Sequence, residues 1–105
     1  MVVFTVLYPY APGKRFDMDY YVEKHLGLVK EKVGSALKAV SVDKGLSGPE
    51  PGSAPAYAAI CRLVFKSVED IATHLAPHDA TFAADVPNFT DITPQFQISE
   101  LVLQV

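Results

Sequence analysis

The sequence has one cysteine in 105 residues, three histidines, and nine basic side chains against twelve acidic ones. A lone Cys61 excludes an internal disulfide, and it has no CxxC partner for metal or redox work, a usage that fits a reducing cytoplasm. The dispersed Lys and Arg, with a formal net charge of -3, form no basic stripe, so no nucleic-acid partner is expected. No apolar run is long enough to span a bilayer. The opening MVVFTVLYPY lacks a basic flank and is cut by Pro9 and Pro12, so it reads as a strand, and no membrane partner is expected. There is no glycine-rich phosphate loop, no GxSxG, no HExxH, no internal repeat and no low-complexity run.

Half of the residues are hydrophobic, which suits a single folded unit over residues 1–105 with a thin margin for folding alone. Val2 to Tyr8 is apolar on both alternating faces, as in a strand covered on two sides. Pro9, Pro12 and Gly13 make a loop. Asp17 then stands as an N-cap with Asp19 in the first turn, and Met18, Tyr21, Val22, His25, Leu28, Val29 and Val33 recur at helical spacing up to a stop at Gly34. Leu37 to Leu46 alternates as a half-exposed strand, and SGPEPGSAP, Ser47 to Pro55, can only be a loop. Tyr57 to Phe65 is a third strand. Ser67, with Glu69 and Asp70, starts a second helix through Leu75 that Pro77 interrupts, leaving His78 to Asp85 as a short separate helix burying Phe82. The segment VPNFTDITP leads as a loop to a last strand, Gln95 to Leu103.

The resulting order, βαββαβ, is that of an α+β, ferredoxin-like fold: a four-stranded antiparallel sheet with both helices on one face, set there by right-handed crossovers. The other face is left bare. Strands one and three carry apolar residues on both faces, and each large side chain left in water forgoes roughly 1.5–3 kcal/mol of burial. A second copy of the sheet, packed through a two-fold axis, is the simplest cover, which predicts a homodimer.

Two segments, FDMDYYVEKHLGLV on the first helix and PHDATFAADVPNFTDITPQFQISEL near the C-terminus, resemble the EthD family, named for ethyl tert-butyl ether degradation. The resemblance spans the chain, and its more specific half is the run Asp85 to Thr90 with Gln97 to Glu100. Where the family commonly reads His-x-Pro-Leu, this chain has His25-Leu26-Gly27-Leu28, which leaves the backbone looser beyond the histidine. The resemblance implies a dimeric α+β barrel. It implies activity less directly, since the wider superfamily includes monooxygenases, lactone isomerases, polyketide cyclases and haem enzymes, and its members are often labelled oxidoreductases.

Within that frame the candidate catalytic residues are His25, as a general acid or base, and Tyr21 one turn earlier on the same helix face, able to orient a carbonyl or phenolate. His25 has a structural alternative, a hydrogen-bonded core histidine. An apolar pocket is expected between the first helix and the sheet, with Tyr8, Phe82, His78 and Arg62 as candidate walls for a small apolar or aromatic ligand. Tyr8 and Phe82 also read as plain packing, and His78, which matches a Pro-His pair in the resemblance, as a cap for a neighbouring carbonyl. Arg62, inside an apolar strand, calls for a partner, either Glu100 or an anionic ligand, with the ion pair favoured. Lys14 and Arg15 could draw acids to a pocket mouth, although loop cations are usually solvated. His74, His78 and Asp79 are too poorly spaced around Pro77 for a metal site, and Cys61 reads as a small core hydrophobe. No cofactor is expected. Haem ligation by His25 or His78 is a further alternative, as is a binding protein that keeps the cavity and needs no titrating group.

Overall fold

A computed structural model describes all residues from Met1 to Val105. Four strands, β1 (Val2–Pro9), β2 (Ala39–Lys44), β3 (Tyr57–Phe65) and β4 (Gln95–Glu100), pair antiparallel in the order β2-β3-β1-β4. This is the expected ferredoxin-like arrangement. Three helical segments lie on one face: α1 over residues 18–33, α2 over residues 68–75 and α3 (Asp79–Asp85).

Side chains alternate across the sheet as the strand period requires. Val2, Phe4, Val6 and Tyr8 of β1 stand opposite Phe65, Leu63, Cys61 and Ala59 of β3, and this face is buried beneath the helices. The other face presents Val3, Thr5 and Leu7 opposite Val64, Arg62 and Ile60, with no element of the chain laid over it.

Both crossover helices begin and turn alike. The Asp17 carboxylate accepts the Tyr20 amide, and the Ser67 hydroxyl accepts the Asp70 amide, each an N-cap bond to the third residue of the helix. Each helix then widens into a single π turn, Tyr21–His25 in α1 and Ile71–Leu75 in α2, closed by the Leu26 amide on the Tyr21 carbonyl and the Ala76 amide on the Ile71 carbonyl. The two βαβ halves therefore repeat a cap and a π turn at one constant offset, although their sequences show no repeat. The wider turn also alters the apolar stripe: Leu26 is buried in the sheet-facing row, while Val22, expected there, is 46% exposed.

Gly34 ends α1 with φ 67°, a backbone that favours glycine. Pro77 ends α2, and a short 3₁₀ turn over Ala76–His78 leads into α3, one residue later than expected. The segment read as a plain loop, VPNFTDITP, does more. After a 3₁₀ turn at Val86–Asn88 it buries Phe89 completely, with Thr90 and Ile92 beside it, and Thr90 bridges to Phe16. Phe89 lies with ring centroids 4.7 to 5.9 Å from His25, Tyr21, Phe16 and Tyr8, which makes it the centre of the aromatic core. β4 is shorter than expected, and Leu101 to Val105 lie beyond it.

Candidate functional site

His25 closes the π turn of α1 and is 6% exposed. The turn stacks its ring on that of Tyr21, with centroids 5.4 Å apart and planes 15° from parallel. Its Nδ1 lies 2.8 Å from Oδ2 of Asp85, the last residue of α3. The other oxygen of that carboxylate, Oδ1, accepts from the Tyr20 hydroxyl at 2.7 Å and from the Asn88 side-chain amide at 2.9 Å. Burial pushes the Asp85 carboxyl up, but hydrogen bonds from Asn88, Tyr20 and His25, together with attraction to the imidazole, outweigh it and hold the group below the usual carboxylate range. The Tyr20 hydroxyl is pushed up, chiefly by its bond to Asp85.

These contacts fix the protonation pattern of the ring. An ionised carboxylate only accepts, so Nδ1 carries a hydrogen, and in the neutral imidazole Nε2 is left as the basic nitrogen. Nε2 has no hydrogen-bond partner within the chain, yet no sealed-off polar side-chain atom is left without one. Nε2 is therefore open to the space that His25 borders.

That space is a cavity of about 450 Å³ between the sheet and the α2–α3 segment, with His25 of α1 in its wall. Phe4, Val6 and Tyr8 of β1, Leu63 of β3 and Phe96 of β4 form its floor, and Leu75, Phe82, Ala83 and Val86 its roof. Asp79 and Thr93, both exposed, stand at the rim with Pro94. The volume suits a small ligand. Its placement corrects the expectation of a pocket under the first helix: α1 presses closely on the sheet through Tyr21, Leu26, Val29 and Val33, and the gap opens where α2 breaks at Pro77 and α3 swings away.

Of the residues singled out from sequence, His25, Tyr8 and Phe82 are brought together in this cavity. Tyr21 is not among its walls: it is 1% exposed, and burial pushes its hydroxyl far up, with Cys61 and Tyr8 as neighbours. Burial likewise pushes the Tyr8 hydroxyl up to about 12. His78 lies beside Phe82, ring centroids 6.1 Å apart, outside the cavity wall, and makes no side-chain hydrogen bond to cap a carbonyl.

Arg62 is exposed on the helix-free face, and its expected pairing with Glu100 does not form. Register explains why. Arg62 stands opposite Thr5 and Ser41, whereas Glu100 stands opposite Val2, which puts the two side chains on opposite faces of the sheet. Arg62 does not line the cavity either.

Arg15 has a structural task rather than a steering one. Its guanidinium donates to the Pro87 carbonyl at 2.7 Å and the Asn88 carbonyl at 3.4 Å and pairs with Asp91 at 3.6 Å, clamping the segment that carries Asn88 and Phe89. Cys61 is a buried core thiol, pushed up by burial. No group of three His, Cys, Asp or Glu side chains is placed to hold a metal ion, and no helix is long and apolar enough to cross a membrane.

Sequence reasoning missed Asp85, Tyr20 and Asn88. The available signal was the Asp85 to Thr90 run itself: a carboxylate and an amide three residues apart beside a proline, in the stretch most specific to the family resemblance.

A ferredoxin-like sheet with an apolar cavity on its helical side, and a carboxylate-held histidine in the cavity wall, defines the class of protein. The EthD domain model matches residues 14–93, and the chain belongs to the EthD family. It is similar to an EthD-like protein of Ralstonia eutropha JMP134, 39% identical, whose crystal structure superposes with a TM-score of 0.93 over 99% of this chain and 94% of that one. An EthD family protein of Bacillus halodurans C-125, 17% identical, shares the fold with a TM-score of 0.70 over 97% of this chain and 99% of that one. So does a protein of Arabidopsis thaliana, 19% identical, with a TM-score of 0.66 over 100% of this chain and 99% of that one. A search of curated proteins returns no match.

Proposed function

We propose that this EthD-family chain is a cofactor-independent acid–base catalyst of small-molecule catabolism, in which His25 Nε2 moves a proton on an apolar or aromatic ligand held in the cavity. One observation carries the reading: a buried imidazole whose Nδ1 is held by Asp85 at 2.8 Å borders an apolar cavity of about 450 Å³. A positioned histidine contributes typically 10²–10⁴-fold to a proton transfer. Asp85 is a positioning residue here, because it acts through the ring. The same reading takes the protein to be a cytoplasmic homodimer, with the half-buried Leu7, Ile60 and Val64 of the helix-free face covered by a second copy.

The test is proton–deuterium exchange from D₂O into a small neutral carbon acid such as 2-indanone, followed by proton NMR with wild type and His25→Ala. Exchange well above the buffer rate in wild type and at the buffer rate in the variant, with unchanged circular dichroism, is the expected result. Equal rates in the two proteins overturn the proposal. The apolar lining also suits a second reading, a non-catalytic binder. That protein would hold a neutral fluorescent naphthalene such as N-phenyl-1-naphthylamine equally well after His25→Gln and exchange nothing.

A further inference from the structure

We infer that the cavity takes an electrically neutral, enolisable carbonyl compound, and that the Tyr8 hydroxyl is the donor for the oxyanion formed when His25 removes the α-proton. The inference rests on the proposed function and narrows it to a substrate class.

The first ground is charge. The cavity wall holds no lysine or arginine, and its one permanently charged side chain is the carboxylate of Asp79 at the rim. Of the two arginines, Arg15 is committed to Pro87, Asn88 and Asp91, and Arg62 is on the far face of the sheet. A carboxylate or phosphate ligand entering here would be desolvated against aliphatic and aromatic side chains with no cation to receive it and an anion at the door. A neutral ligand meets neither obstacle.

The second ground is the proton inventory. With Nδ1–H directed at Asp85, the neutral ring offers its base at Nε2, and that form is matched by a ligand with an acidic hydrogen to give. Removing the α-proton breaks a C–H bond, sends its electron pair into a new C=C bond and places negative charge on the former carbonyl oxygen. Nε2 holds the proton, and the resulting imidazolium is stabilised by the Asp85 carboxylate. The oxygen then needs a hydrogen-bond donor, and Tyr8 is the hydroxyl-bearing core side chain in the cavity wall. Tyr21 bonds to that hydroxyl from the core side in the sense that lowers it, yet burial pushes it up to about 12, so it keeps its own hydrogen at neutral pH for a ligand in the cavity. Return of the proton to the same carbon, or to one conjugated with it, completes a tautomerisation or a double-bond shift with no oxidant or reductant consumed.

A matched pair of probes tests this: methyl phenylpyruvate, neutral, and phenylpyruvate, its anion, each followed for benzylic exchange in D₂O and expressed relative to its own buffer rate. The expected result is at least a 10-fold preference for the ester, and a fall of about 10²-fold in ester exchange for Tyr8→Phe, the size typical for loss of one oxyanion donor, with N-phenyl-1-naphthylamine binding kept. Asp79→Lys is expected to raise the phenylpyruvate rate relative to the ester. Equal or better use of the anion by wild type, or unaltered ester exchange in a folded Tyr8→Phe protein, overturns the inference while His25-dependent exchange leaves the proposed function standing. Exchange that survives His25→Ala removes the proposed function itself.

Discussion

Replacing Asp85 by asparagine isolates what the carboxylate does for His25. The substitution keeps the shape but exchanges one acceptor oxygen for a donor. Oδ1 now serves two donors, the Tyr20 hydroxyl and the Asn88 amide, so the asparagine oxygen stays on that side and its NH₂ faces the imidazole. Nδ1 must then accept, and the ring hydrogen moves to Nε2, the nitrogen that borders the cavity. Two hydrogen bonds survive and the third reverses, all without the carboxylate's charge, at a cost of about 1–2 kcal/mol in all; alanine, which leaves the buried ring without any partner, costs about 3 kcal/mol. Exchange catalysis falls by on the order of 10²–10⁴, the whole worth of a positioned base. Long-range ¹H–¹⁵N NMR of the imidazole reads the tautomer directly, a signal that a purely structural role would not move. A wild-type spectrum with the hydrogen on Nε2, or an Asp85→Asn spectrum unchanged from wild type, would refute the assignment.

Four further outcomes follow from the same geometry. The Asp85 carboxyl is held below its unfolded value of about 3.9, so its contribution to stability is complete above that pH and is lost as pH falls through the lower folded value; the gap in Tm between wild type and Asp85→Asn should close in acid and reopen toward neutrality. Phe89→Ala removes the fully buried ring at the aromatic centre and costs about 4 kcal/mol by urea denaturation, against about 1–2 kcal/mol for the half-buried Phe82→Ala, and a Phe89→Ala cost as small as that of Phe82→Ala would contradict the core placement. Arg15→Ala, at a half-exposed clamp, costs no more than about 1 kcal/mol, yet amide exchange should quicken over residues 86–92. Val64→Glu, on the helix-free face opposite Val3 and Ala39, should sediment as a monomer where wild type sediments as a dimer.

The elements were legible wherever local chemistry decides them. Asp17 and Ser67 cap the helices, Gly34 stops one and Pro77 another, and the alternation of Tyr57 to Phe65 assigns the correct residues to each face of β3. His25 was legible as a buried histidine because a helical row of apolar neighbours surrounds it. Asp85 was not, because the bond that matters joins residues 60 positions apart, and no periodicity within either helix records it. Phe89 was hidden for a different reason: it enters the core from a 3₁₀ turn and a loop, where neither the strand period nor the helix period applies. The π turns leave no composition signal at all, and they moved Leu26 into the row where Val22 was expected. For Arg62 and Glu100 the pattern named two charges but could not fix strand register, and register set them on opposite faces.

The repeated cap and π turn give the second crossover a mounting equivalent to the one that carries the imidazole. Leu75 occupies in α2 the place that His25 occupies in α1, and its side chain already touches the same chamber. Only one of the two sockets holds a titratable ring. A histidine set at Leu75 would border the same chamber from the second crossover, opposite the ring of the first.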